Sequence, residues 1–198
     1  MSERNSIDQT KRLILDHGVA LFMKKGYHGT GLNDVLTAAK VPKGSFYYYF
    51  DSKEDFGVQA VGHYIAPFIE QLTQHLAAPG RDGLSSIEVY FRALIRELEA
   101  SNFEGGCLLG NLMGEIGDTS EAARAALKKA VNRYRDLLES GLARAQKEGV
   151  ARSDRSARAM ADLLTNGWQG ALLRMKVERS SAPLYAFLDE MLRGYCGK

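Results

Sequence analysis

Apolar residues return every three or four positions along most of this chain, and no stretch alternates in the manner of a half-buried strand. The pattern predicts an all-α protein of about nine helices. The first, over residues 6–25, carries Ile14, Gly18, Leu21 and Phe22 on its inner stripe and stops at Gly26, as helices often do at glycine. Gly18 costs roughly 1 kcal/mol of helix propensity relative to alanine, which predicts a close neighbour there. Leu32, Val35, Leu36 and Ala39 mark a second helix, with Thr30 as its predicted N-cap and Asp34 in its positive first turn. Pro42 is predicted to open a third, where its missing N–H is not needed, with Phe46 and Phe50 turned inward.

A fourth helix is predicted to start at Ser52, with Asp55 as capping-box partner and an apolar face of Phe56, Val61, Tyr64, Ile65, Phe68 and Leu72. Gly57, Gly62 and Pro67 weaken it, and the proline removes a backbone bond. The result is either a bend over a core or a joint able to shift. Beyond a Pro79–Gly83 loop, Ser85 and Glu88 are predicted to cap a fifth helix running to about Ala100. Residues 105–117 then hold five glycines in thirteen positions, which is costly for a helix and implies close packing or mobility. Asp118 and Glu121 are predicted to cap a long helix to about Glu148. Ser153 or Asp154 opens another, through Trp168 to about Arg179. The last starts at Ser181 and Pro183 and carries Leu184, Leu188 and Met191 on one face.

Composition narrows the function classes. The 198 residues are 45% hydrophobic and 25% charged, as in ordinary globular proteins. The chain shows neither a run of about eighteen apolar residues nor a signal-peptide pattern, so a cytoplasmic location and no membrane partner are expected. Net charge is only +2, but residues 1–50 carry seven Lys/Arg against four Asp/Glu, Arg4 and Glu3 among them, a mildly basic end. Cys107 and Cys196 make neither a disulfide scaffold nor a metal site. No metal-ligand spacing and no phosphate-binding glycine loop is present, so no metal, cofactor or catalytic apparatus is expected.

The third helix carries the most distinctive chemistry. With Phe46 and Phe50 inward, Lys43, Gly44, Ser45, Tyr47 and Tyr48 fall outward. A cation, a bare backbone, a hydroxyl and two tyrosines suit a helix laid in the DNA major groove. From periodicity alone, a helical hairpin using its tyrosines for packing is the competing reading.

The run from Ile14 to Lys53 resembles the DNA-binding domain of TetR/AcrR-family regulators. The likeness rests on Phe22, Gly26-Tyr27, Val41-Pro42-Lys43-Gly44-Ser45-Phe46-Tyr47 and Phe50-Asp51-Ser52-Lys53. Tyr49 stands where the family more usually has histidine. The resemblance implies a helix-turn-helix domain over residues 1–51 and a ligand-binding and dimerisation domain over 52–198. It implies DNA contacts from Thr30, Asn33, Lys43, Gly44, Ser45, Tyr47, Tyr48, Tyr49 and Lys53, and a fourth helix that relays ligand state to them. It also implies a homodimer built from the last two long helices, with Leu164, Trp168, Leu184, Leu188 and Met191 in the interface, reading a palindromic operator.

Cys107 follows Gly105-Gly106 at the predicted start of a short helix, where a thiol can be made nucleophilic; a lone cysteine is otherwise a small inert hydrophobe. Gly106-Cys107-Leu108 followed by Glu115, Asp118, Ser120 and Glu121 is similar to electrophile-sensing and acrylate-responsive members of the same family. In that subgroup a cysteine here senses electrophiles and oxidants, and the lysine matching Lys176 takes part in its chemistry. Tyr64, Asn111, Glu115 and Trp168 are the further candidates for a ligand pocket, Trp168 fitting a core equally well. The expected function is a transcriptional repressor released by a small-molecule inducer, with a reactive electrophile sensed at Cys107 as one such inducer. Non-covalent sensing with an inert Cys107 and a helical small-molecule-binding enzyme stay open at this point.

Overall fold

The computed structural model describes the backbone of residues 2–198 and the side chains of residues 8–198. The side chains of Glu3 and Arg4 lie outside the described residues. What is described is helical: α1 (Ser2–Lys25), α2 (Leu32–Ala39), α3 (Lys43–Tyr49), α4 (Lys53–Ala77), α5 (Gly83–Ala100), α6 (Leu108–Ile116), α7 (Glu121–Lys147), α8 (Ala157–Glu178) and α9 (Ala182–Ala186). The last continues directly as π-helical turns over Phe187–Cys196. One antiparallel bridge, Ala151 with Gly197, is the sole extended pairing among the described residues. The all-α, nine-helix expectation holds.

The chain forms two compact units. One gathers residues 1–66 and 107–130, the other residues 67–106 and 131–198. In the first, Phe22, Phe46, Phe50 and Phe56 are all essentially buried. Phe56 lies 5.5 Å from Phe22, 5.6 Å from Phe46 and 4.9 Å from Phe50, ring centre to ring centre. Burying each such side chain contributes about 1.5–3 kcal/mol, and offset or edge-on ring pairs add to that. Gly18 explains the closeness of α1 and α4, since a Cβ there would stand 2.1 Å from Phe56 Cζ. Ile14, Val35, Leu36, Leu108 and Leu112 complete this core, and Leu15 is buried where Leu21 had been expected.

The second unit centres on another aromatic group. Trp168 packs 4.7 Å from Phe91 and 5.3 Å from Phe187. Around them Leu72, Ile87, Ile95, Leu138, Met160, Leu164, Leu184 and Leu188 are buried.

Several helix starts differ from expectation by a residue or more. Gly31, not Thr30, is the N-cap of α2; its N–H donates to Asp34 Oδ2 at 3.3 Å. Pro42 caps α3 from just outside instead of opening it. Asp82 caps α5, accepting from Ser85 N–H at 2.8 Å, and Ser120 caps α7, accepting from Ala123 N–H at 3.0 Å. Ser156, rather than Ser153 or Asp154, caps α8. Apart from Pro42, each true cap is a short oxygen-bearing residue or a glycine, and a nearby Ser, Thr or Asp drew the expectation. Ser52 behaves as expected, accepting from Asp55 N–H at 3.0 Å at the start of α4.

Candidate nucleic-acid interface

The α2–α3 pair presents the outward face that its periodicity predicted. Val35, Leu36, Ala39, Phe46 and Phe50 fix the inner side. Lys40 takes the left-handed conformation (φ 55°) as C-cap of α2, and its N–H donates to Thr37 O. The chain turns sharply there, and an open groove runs past Asn33, Thr37, Lys40, Val41 and Lys43. Tyr47 and Tyr48 stand 61% and 67% exposed, which is high for large aromatic rings. Lys43, Gly44 and Asn33 are exposed, and Ser45 and Tyr49 half-buried. A Cβ on Gly44 would meet nothing within 4 Å, so the fold itself has no need of a glycine there.

Thr30 does not share that face. It is 1% exposed and its hydroxyl donates to Gly26 O at 2.7 Å, so it closes the α1–α2 turn and has no surface to offer DNA. Lys53 is likewise engaged by the chain. Its ammonium donates to Tyr27 O at 2.8 Å and lies 4.5 Å above the Tyr27 ring. Burial lowers its pKa, and the nearby Glu115 carboxylate pulls the other way.

That turn is gripped from a second side by residues the periodicity could not single out. His28 N–H donates to Glu115 Oε2 at 3.1 Å, and His28 Nε2 meets Glu115 O at 3.2 Å. Gly26, at φ 77°, leaves the space the carboxylate occupies; a Cβ there would lie 2.7 Å from Oε1. Glu115, expected among the ligand-pocket candidates, turns its carboxylate to the α1–α2 turn. The one sequence signal for this contact was the acidic residue itself, placed at the wrong end of α6 for the helix dipole. Next to it, Ser120 Oγ donates to Glu54 Oε1 at 2.5 Å, tying the cap of α7 to the first turn of α4.

Cys107 is the N-cap residue of α6, half-buried and not disulfide-bonded, with its carbonyl accepting from Asn111 N–H at 3.1 Å. Asn111 and Tyr64 are half-buried in the same unit. The loop before Cys107 holds Asn102, Phe103, Gly105 and Gly106 at positive φ, and a bulky residue such as Phe103 adopts that conformation only under constraint. In the second unit, Lys176 is exposed near the end of α8, its Cδ 3.7 Å from where a Gly106 Cβ would stand. Cys196 differs sharply. It is fully buried, and burial pushes its thiol up to about 12, only partly offset by Arg152.

The residues expected in a dimer interface are mostly committed inside the chain. Leu164, Leu184 and Leu188 are fully buried and Trp168 nearly so, while Met191 is half-buried with its Cε near Gly167. Expectation took the inner stripe of α8 for the outer one. The outer stripe is Leu163, Leu173 and Val177, 40%, 58% and 84% exposed, which lie within a quarter-turn of one another at helical spacing. Its signal was present in the sequence as a helix apolar on two faces. Among the described residues no group of His, Cys, Asp or Glu is arranged to hold a metal, and no helix is long and apolar enough to cross a membrane.

A helix-turn-helix with an outward basic and aromatic recognition face, joined to a helical second unit, defines a DNA-binding regulator. Residues 14–57 match the family of bacterial regulatory proteins of the tetR type, and residues 83–191 match the tetracyclin repressor-like C-terminal domain. The chain belongs to the TetR family of transcriptional regulators. It is 33% identical over 175 residues to the HTH-type transcriptional repressor DhaR of Mycobacterium sp. (strain GP1), covering 88% of this chain and 86% of that one. It is 32% identical over 175 residues to the repressor NemR of Escherichia coli (strain K12), covering 88% of each. The crystal structure of reduced E. coli NemR superposes with a TM-score of 0.88 at 30% identity, covering 96% of this chain and 97% of that one.

Proposed function

We propose that this regulator is a homodimeric repressor that binds a palindromic operator and lets go when an electrophile modifies Cys107. The observation that carries the DNA half is the face of α3, where Lys43, Tyr47 and Tyr48 stand clear of the core while Phe46 and Phe50 anchor it. Asn33, Ser45 and Tyr49 flank that face. Two such helices related by a two-fold would enter successive major grooves, about one turn or ~34 Å apart. The exposed stripe of α8 supplies the surface for pairing.

The sensing half rests on Cys107 at the start of α6 and on the likeness to NemR. An α,β-unsaturated carbonyl is the fitting class of inducer. The thiolate sulfur adds to the β-carbon, an S–C bond forms as the C=C π bond breaks, and the α-carbon takes a proton from water. A cytoplasmic location accompanies this role.

The test is fluorescence anisotropy with DNA from upstream of the protein's own gene, before and after N-ethylmaleimide. The parent should bind and then release, and Cys107→Ser should bind and stay bound. Mass spectrometry should find the adduct on Cys107 well before any on Cys196, whose buried thiol stays protonated. Equal release of both proteins would make the inducer a non-covalent ligand.

A further inference from the structure

We propose that Glu115 is the positioning residue through which α6 sets the helix-turn-helix for DNA, a step that rests on the operator-binding reading above. The carboxylate accepts from the His28 N–H, and the carbonyl of the same residue meets the His28 ring, so one residue holds the turn twice. Gly26 admits the carboxylate where any side chain would exclude it. A negative charge in the last turn of α6 opposes the helix dipole, so α6 itself gains nothing from an acid there. The compensation comes from outside the helix, from the His28 N–H and the attractive Lys53 ammonium. Lys53 in turn holds the Tyr27 carbonyl at 2.8 Å. Three consecutive residues, Gly26, Tyr27 and His28, are thus held by Glu115 and Lys53 in the turn that leads into α2.

The other end of α6 is Cys107. Glu115 lies eight positions on from it, a rise of about 12 Å in one stiff element. Leu108, Leu109, Leu112 and Ile116 pin the inner face of that element, so a shift imposed at its N-cap moves the helix as a body instead of bending it. The Glu115–His28 contact is where that motion reaches the DNA-reading helices.

The experiment compares the full-length parent with Glu115→Ala and Glu115→Gln by operator affinity, thermal midpoint and amide exchange over residues 26–30. Glu115→Ala should weaken operator binding about tenfold, the scale of one charge-assisted hydrogen bond, and speed exchange in the turn with little change in midpoint. Glu115→Gln keeps an acceptor oxygen in place and should recover most of both. N-ethylmaleimide should speed the same exchange in the parent and add little in Glu115→Ala. Should Glu115→Ala fail to fold, His28→Ala, which removes only the ring contact, takes its place with a smaller shift in the same direction. Parent-like affinity and exchange in the Ala variant overturn the proposal, as does a loss that Gln does not restore or that follows the melting temperature. A parent that never binds the DNA sinks the operator reading instead, and turn exchange in Glu115→Ala then decides this one alone.

Discussion

Single residues separate what the fold requires from what function requires, and two glycines show how. Gly18 is demanded by packing, because a methyl group there collides with the Phe56 ring. Gly44 is demanded by nothing inside the chain. Replacing an exposed helical glycine by alanine ordinarily stabilises by up to about 1 kcal/mol. Gly44→Ala should therefore leave the thermal midpoint unchanged or slightly raised, yet weaken operator binding, because the added methyl group stands where DNA must approach. Gly18→Ala should do the reverse, costing about 1–3 kcal/mol of stability through overpacking. Melting curves and anisotropy on the two variants check both halves. If Gly44→Ala binds like the parent, the backbone of α3 does not approach DNA at that point. The exposed set Lys43, Gly44, Tyr47 and Tyr48 was readable from the sequence because Phe46 and Phe50 fix the phase of a short helix. Thr30 was misplaced because the pattern that locates a helix start is blind to a hydroxyl bonding back to the preceding helix. The Glu115–His28 contact lay beyond reading, since 87 residues separate its partners and no periodicity connects them.

At the scale of the element, helix phase was legible and helix ends were not. Periodicity places α1, α2, α4 and α5 by their buried faces, but caps depend on which of several neighbouring Ser, Asp or Gly residues wins the terminal N–H groups. The last turn of α4 shows the same competition in electrostatics. His75 sits there, where the helix dipole favours a proton. Burial nonetheless lowers its pKa, and Arg81 and Arg96 push it further in the same direction. A base whose folded pKa lies below its unfolded value of about 6.5 adds stability while neutral, at higher pH. That contribution starts to fall as pH drops below the unfolded value and is gone below the folded one. The thermal midpoint should accordingly decline between pH 7 and pH 5 more steeply in the parent than in His75→Gln. Parallel declines would assign the acid sensitivity to other groups.

For the whole molecule, the proposed homodimer requires an apolar surface that meets a second copy. The second unit already uses one stripe of α8 for its own core, and Leu164 and Trp168 are spent there. What it leaves facing outward is Leu163, Leu173 and Val177 on a single helix, an apolar line that a monomeric protein has little reason to keep. Two substitutions on the two stripes then have opposite readouts. Leu173→Glu places a charge on the outer stripe, where a lone chain would solvate it freely and a paired one would have to desolvate it. It should leave helix content and melting of the monomer intact, shift light scattering from dimer to monomer, and weaken palindrome binding by removing the linkage of two half-sites. Leu188→Glu buries its charge in the chain's own core and should cost several kcal/mol of stability instead. A folded Leu173→Glu that still scatters as a tight dimer would move the pairing surface off α8. A folded, monomeric Leu188→Glu would return it to the inner stripe, against the burial of that side chain.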